Sequence, residues 1–181
     1  MVSDHERPAM EPAATDRTQR ALTVEPRTLR TARLVLKPRR RDAPRDATGP
    51  EQPWGENPIW AVEIGGDIVG TIHLTVDGGN QIAELGYDVE PSNRNRGIAT
   101  EAARATIDWG FSVLSLAKIY ARTDAWNEAS WRVMEDAGLS REAALRSHHA
   151  HNGGRTDEMW YGILRTEWTG AGGRVEPLQE P

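Results

Sequence analysis

The hydrophobic pattern breaks the chain into short runs that change period. Residues 29–37 carry Leu34-Val35-Leu36, which predicts a first strand closed by Pro38. Residues 59–64 and 68–76 are apolar and β-branched, and Gly65-Gly66-Asp67 between them predicts a hairpin turn. Asp77-Gly78-Gly79-Asn80 turns the chain into a strand over 81–90. The period then becomes helical. Ala99, Ala102, Ala103, Ile107, Gly110, Phe111 and Leu114 share one face of a helix over 98–114. Small residues at its start predict a close approach to the sheet. A short strand follows at 119–123. Asn127 suits an N-cap and Gly138 a C-cap, with Ser130, Val133, Met134 and Ala137 on the inward face of the helix between them. Residues 139–149 and 157–165 predict two last strands joined through Asn152-Gly153-Gly154. This order implies an α/β (α+β) single domain, with a mixed, mostly antiparallel central sheet flanked by helices.

The pattern fades at both ends. Residues 1–27 are charged and poor in large apolar side chains, so they predict a disordered tail, as do residues 169–181. The domain is expected over 28–168, long enough for a real core. Inside it, residues 44–58 are rich in Pro, Gly and Glu and predict a loop. Arg39, Arg40, Arg41 and Arg45 precede or enter that loop. A solvated surface is the plain reading of this run, and a contact with cofactor phosphates is the functional one.

Candidate chemistry concentrates where the 81–90 strand gives way to the 98–114 helix. Arg94-Asn95-Arg96-Gly97-Ile98-Ala99 is a glycine-containing turn opening directly onto a helix. The first N–H groups of a helix lack intrahelical partners, and the positive end of the helix dipole points the same way. Such a spot attracts phosphate. The two arginines add charge.

Composition narrows the field. The formal net charge is −5, which disfavours a nucleic-acid partner. There are no cysteines, so a disulfide scaffold, a thiol nucleophile and a thiolate metal site are excluded. His148, His149 and His151 match no metal-ligand spacing, and a polar strand end or turn accounts for them; no metal is expected. No apolar stretch approaches the ~20 residues of a membrane span, and the N-terminus lacks a secretory apolar run, which makes the cytoplasm the default expectation.

These pieces together resemble the GNAT acyltransferase superfamily, and in particular its ribosomal-protein alanine N-acetyltransferase branch. The cofactor signature of that family, Arg or Gln, two residues, Gly, one residue, then Gly or Ala, is matched by Arg94, Gly97 and Ala99. It follows Glu84-Leu85-Gly86-Tyr87-Asp88-Val89 and precedes Thr100-Glu101-Ala102, as in the family. A second signature matches Asn127, Ser130 and Gly138, and the runs from Thr31 to Pro38 and from Tyr161 to Trp168 resemble the ribosomal-protein branch. The resemblance implies acetyl-CoA as donor and an amine as acceptor. It implies that the N–H groups of roughly Arg96, Gly97, Ile98, Ala99 and Thr100 wrap the pyrophosphate, with Arg94 beside them. It also implies that Tyr87, Asp88 and Val89 pair through their backbone with the pantetheine arm, and that Asn127 bonds a pantetheine amide.

Direct acyl transfer needs a neutral amine, a donor for the developing oxyanion and a proton or hydrogen bond for the leaving thiolate. Keeping a lysine amine neutral at pH 7 costs ~4.6 kcal/mol, whereas an α-amine costs ~1.4 kcal/mol. An α-amine therefore needs only a remote carboxylate acting through water. Glu84 and Asp88, two strand positions facing one side, are the candidate bases, with Asp157 and Glu158 behind them. The Val89 N–H suits the oxyanion if the strand splays as in the family. Many family members place a tyrosine four residues after the Ser130 position, where this chain has Met134. The resemblance to the ribosomal-protein branch assigns the acid role to Ser130 instead.

The resemblance also implies two helices between the first and second strands, yet only residues 44–58 fill that space, too few for both. Three outcomes stay open: a groove open to a protein N-terminus, a groove completed by a second copy in a homodimer, or a lost acceptor site. Trp54 and Trp60 are candidate groove residues, with core packing the stronger reading of Trp60. Two further readings stand beside a protein or peptide α-amine acceptor: a small-molecule amine such as an aminoglycoside or polyamine, and a CoA-binding module without transferase activity.

Overall fold

A computed structural model describes residues 24–39 and 57–170. Of the expected tails over 1–27 and 169–181, residues 1–23 and 171–181 lie outside the described residues. So do Trp54, Arg40, Arg41, Arg45 and most of the 44–58 loop.

Among the described residues, eight strands form one sheet: β1 (Leu29–Arg30), β2 (Val35–Arg39), β3 (Ile59–Ile64), β4 (Asp67–Asp77), β5 (Ile82–Val89), β6 (Lys118–Asp124), β7 (Ser140–His151) and β8 (Gly154–Leu164). Their spatial order is β1-β2-β3-β4-β5-β6-β8-β7. Only β5 and β6 run parallel, and every other described pair is antiparallel. The parallel pair needs a crossover, which helix α1 (Ile98–Val113) supplies. Helix α2 (Glu128–Asp136) connects β6 to β7. The predicted mixed sheet flanked by helices is the observed architecture.

The first predicted strand is two. Thr31 N and Oγ1 both bond Leu34 O, and the Leu34 N–H bonds Thr31 Oγ1, which folds residues 31–34 into a turn. β1 then pairs back on β2, Leu29 opposite Leu36. The apolar run hid that turn because both halves bury leucines. Pro38 does not close the strand, which continues to Arg39. Packing also begins before the expected boundary at Thr28. Pro26 is buried, Val24 packs on the core, and Arg27 O accepts a bond from Trp60 Nε1 at 2.9 Å.

The core lies between the sheet and the two helices. Ile72, Leu74, Ala83, Leu85, Ile119, Ala121, Tyr161 and Ile163 alternate along four strands and meet Ala103, Ile107 and Trp109 of α1 and Met134 of α2. A Cβ on Gly110 would lie 2.9 Å from Ile119 Cδ1, so glycine there lets the last turn of α1 sit close to the sheet. Trp60 is fully buried and edge-on to Trp109 at 4.9 Å between ring centroids. It is a core residue and lines no groove. Among the described residues, no helix is long and apolar enough to cross a membrane.

Candidate active site

The parallel pair opens. β5 pairs with β6 only from Ile82 to Glu84, opposite Lys118 to Tyr120. β6 continues to Asp124, but pairs there with β8 on its other edge. Residues 85–89 and 121–124 thus face each other across an unpaired gap. Ala117 N bonds Gln81 O and Glu90 N bonds Val69 O. In a strand, backbone groups alternate between the two edges. Odd-numbered residues of β5 therefore aim their N–H and C=O toward the gap, and even-numbered ones toward β4. Tyr87 and Val89 present backbone donors there, as expected. Asp88 does not: its backbone is turned toward Thr71 of β4, so the expectation of a pantetheine bond from its main chain is corrected.

Beneath the gap, the chain makes a 3-10 turn at Pro91–Asn93 and enters α1 through Gly97, whose φ is +71°. Asn95 is also left-handed, at φ +57°. Glycine tolerates this conformation and carries no side chain to cap the helix. Thus no N-cap side chain competes for the N–H groups of Ile98, Ala99 and Thr100, while Glu101 N is the first to bond back, to Gly97 O at 3.0 Å. The two expected arginines lie here but are engaged locally. Arg94 Nε donates to Val89 O at 2.9 Å, and Arg96 Nη1 to Asn93 Oδ1 at 2.8 Å. A third was not read from sequence: Arg33 Nη1 donates to Arg96 O at 3.0 Å, and its Nη2 lies 2.6 Å from Glu101 Oε2. Nothing in the local pattern ties Arg33 to a turn more than sixty residues later. Burial raises the Glu101 pKa, but hydrogen bonds from Thr31 and Arg33 outweigh it and hold the carboxyl below its ordinary range.

Helix α2 closes the gap from the core side. Asn127 caps it as predicted, Oδ1 accepting from Ser130 N at 3.3 Å. Gly138, at φ +100°, ends it: Leu139 N bonds Met134 O and Gly138 N bonds Glu135 O, both at 2.9 Å. Ser130 faces inward. Its hydroxyl lies 3.0 Å from the Tyr87 phenol, which also donates to Ser130 O at 2.8 Å. Burial pushes the Tyr87 pKa up to about 12, with the Ser130 hydrogen bond pulling the other way. The sequence marked Tyr87 for its backbone, and gave no sign that its side chain meets Ser130.

Glu84 and Asp88 face away from the helices, on one side of the sheet as predicted. Glu84 is held by Arg122 Nε at 2.8 Å. That hydrogen bond raises the Arg122 pKa and outweighs burial, which lowers it. Asp88, on the gap half of β5, is 3.8 Å from Arg94 Nη2. Glu158 is 1% exposed, accepts from Trp160 Nε1 at 2.7 Å and lies 3.4 Å from Arg122 Nη1. Asp157 Oδ1 accepts from Ser147 N at 2.8 Å.

The fold is thus an α/β sheet whose parallel pair opens into a gap, with helix N–H groups that no cap side chain engages below it. The chain belongs to the GNAT acetyltransferase domain family, whose model matches residues 2–140. It is 34% identical over 90 residues to the uncharacterized N-acetyltransferase YnaD of Bacillus subtilis, covering 50% of this chain and 53% of that protein. It is 33% identical over 106 residues to the putative ribosomal N-acetyltransferase YdaF of the same organism, covering 58% of each. The chain thus spans somewhat more than half the length of these curated relatives. A GNAT-family acetyltransferase from Bacillus anthracis superposes with a TM-score of 0.64 at 25% identity, covering 77% of this chain and 99% of that one. A spermidine N-acetyltransferase from Vibrio cholerae, solved with CoA and spermine, shares the fold at a TM-score of 0.58 and 23% identity, covering 61% of this chain and 67% of that one.

Proposed function

We propose that this chain is an acetyl-CoA-dependent N-acetyltransferase that moves the acetyl group directly to an amine, with a protein or peptide α-amine as acceptor. The observation that carries this reading is the unpaired gap between β5 and β6 above the uncapped start of α1. The main-chain groups of Tyr87 and Val89 suit an extended amide arm laid along β5. The N–H groups of Gly97, Ile98, Ala99 and Thr100 suit a pyrophosphate, and Arg33, Arg94 and Arg96 lie close enough to add charge. Each exposed charge–dipole contact of this kind is worth ~0.3–1 kcal/mol. Bound acetyl-CoA supplies an activated acyl group.

The residues do the rest. The Val89 N–H points into the gap, where it can stabilise an oxyanion. Ser130 donates to the departing sulfur, and Tyr87 holds the Ser130 hydroxyl in place. Asn127 spends Oδ1 on its cap, which leaves its Nδ2 end for an amide carbonyl. Asp88 serves as the remote base through water, and Glu84, clamped by Arg122, backs it on the same face. A base this indirect suits an acceptor that needs only ~1.4 kcal/mol to become neutral, which favours an α-amine over a lysine.

A polyamine acceptor is the second reading, favoured by the net charge of −5 and by the spermidine enzyme that shares the fold. A thiol-release assay with acetyl-CoA tests both, run across peptides with free α-amines, the same peptides N-terminally blocked, spermidine and an aminoglycoside. Release with free-amine peptides alone supports the first reading. Release with spermidine alone replaces it with the second. Tight CoA binding with no release across the panel makes the chain a CoA-binding module.

A further inference from the structure

We propose that His148, His149 and Glu158 form a binding site for one divalent transition-metal ion of the zinc class. Their three ligand atoms lie within 4.8 Å of one another. His149 Nε2 stands 3.3 Å from Glu158 Oε1, and His148 Nε2 stands 3.5 Å from Oε2. Both exceed the roughly 2.7–3.2 Å of a good N–H···O bond. Both fit the edge of a tetrahedron, ~3.3 Å, around a metal with bonds of ~2.0–2.1 Å.

Two further features look built for ligation. Asp124 Oδ1, on β6, lies 3.0 Å from His149 Nδ1. A carboxylate there holds the proton on Nδ1 and leaves the Nε2 lone pair free for a metal, the usual support of a ligating histidine. The backbone is also reshaped. Consecutive strand residues point to opposite faces, so two adjacent histidines should not reach one carboxylate. Here the β7–β8 register slips between Leu145 and His149, and Ser147 sits at φ +53°. Asp157 holds the Ser147 N–H at 2.8 Å, while Arg155 holds the carbonyls of Ser147 and His148 at 2.6 and 3.0 Å. Both rings thus turn toward Glu158, their centroids 5.1 Å apart.

Glu158 has room for the ion. Trp160 and Arg122 use two of about four lone-pair positions on the carboxylate. The Arg122 guanidinium also has a nearer partner in Glu84, at 2.8 Å. The histidine side chains are 48% and 43% exposed, which gives an entry path and a side open to water. Two imidazoles and one carboxylate suit zinc, cobalt or nickel and disfavour magnesium and calcium.

The test uses the full chain, stripped with chelator and titrated calorimetrically with zinc chloride. The expected result is saturable binding of one ion per chain, no saturable binding of magnesium, and the visible absorption of a four- or five-coordinate centre when cobalt(II) replaces zinc. Asp124→Asn should weaken binding about 10–100-fold. His148→Ala and His149→Ala alter half-exposed rings and should keep the native circular dichroism while losing the site. No saturable zinc binding, or binding that survives replacement of both histidines, overturns the proposal. CoA affinity measured in the same samples reports on the transferase reading separately.

Discussion

The Tyr87 phenol, on a sheet strand, meets the Ser130 hydroxyl, on a helix, at 3.0 Å. The helix has methionine at 134, and the sheet brings a phenol to the same serine from the opposite side. Burial first, partly offset by Ser130, raises the Tyr87 pKa to about 12. Tyr87 is thus a hydrogen-bond donor at every working pH, and a poor source of a freely dissociating proton. Because its folded pKa exceeds the ordinary value near 10, its stabilising effect is complete below about pH 10 and is lost as pH rises toward about 12. We expect Tyr87→Phe to lower turnover about 5-fold, the worth of one hydrogen bond of ~1 kcal/mol, without moving the pH–rate profile below pH 9. A 100-fold loss or a shifted alkaline limb would make Tyr87 itself the acid.

Ser130→Ala removes the group next to the departing sulfur. Turnover should fall about 10²-fold or more, with acetyl-CoA affinity nearly unchanged. Calorimetry and steady-state rates on one preparation separate the two. Unchanged turnover would remove Ser130 from the mechanism. Combined with Tyr87→Phe, the double variant should be less impaired than the product of the single effects, since the two hydroxyls act as a unit.

Arg96→Ala should raise the KM for acetyl-CoA about 2–5-fold, matching ~0.3–1 kcal/mol for one exposed charge at a helix start. The effect should shrink at high salt. It should vanish with acetyl-pantetheine, which has no pyrophosphate. An equal effect on that truncated donor would place Arg96 away from the phosphates.

Glu101 ties the α1 start to the first turn through Thr31 and Arg33. Its folded pKa lies below its ordinary value, so its contribution is present above the ordinary carboxylate range and is lost as pH falls through the depressed value. Glu101→Gln should therefore narrow the stability difference between pH 7 and pH 3, read as urea midpoints. An unchanged difference would mean that Glu101 carries none of the acid sensitivity.

Trp60 tests the core. Trp60→Ala should cost about 3–5 kcal/mol in urea unfolding, because a fully buried indole and its edge-on contact with Trp109 are both lost. A cost below about 1 kcal/mol would mean that the site collapses around the cavity.

Local chemistry was legible in the sequence wherever neighbours along the chain decide it. The strand at 59–64, the turn at Gly65-Gly66, the helix from Ile98, the Asn127 cap and the Gly138 stop all stand where period and turn chemistry put them. The hidden turn at 31–34 shows the limit: period alone cannot separate one strand from two when both halves bury leucines.

What only the tertiary structure decided is which distant groups meet. Tyr87 and Ser130 are 43 residues apart, Arg33 and Arg96 63, and Arg122 and Glu158 36. Strand order, the end of β5–β6 pairing at Glu84 and a register slip in β7 bring such pairs together, and no window of neighbouring residues encodes them. The sequence by itself determined the elements and the phosphate-suited turn, because periodicity and backbone conformation are local. The side-chain partners on both faces of the gap were decided by packing, because the energy that selects them is shared across the whole sheet.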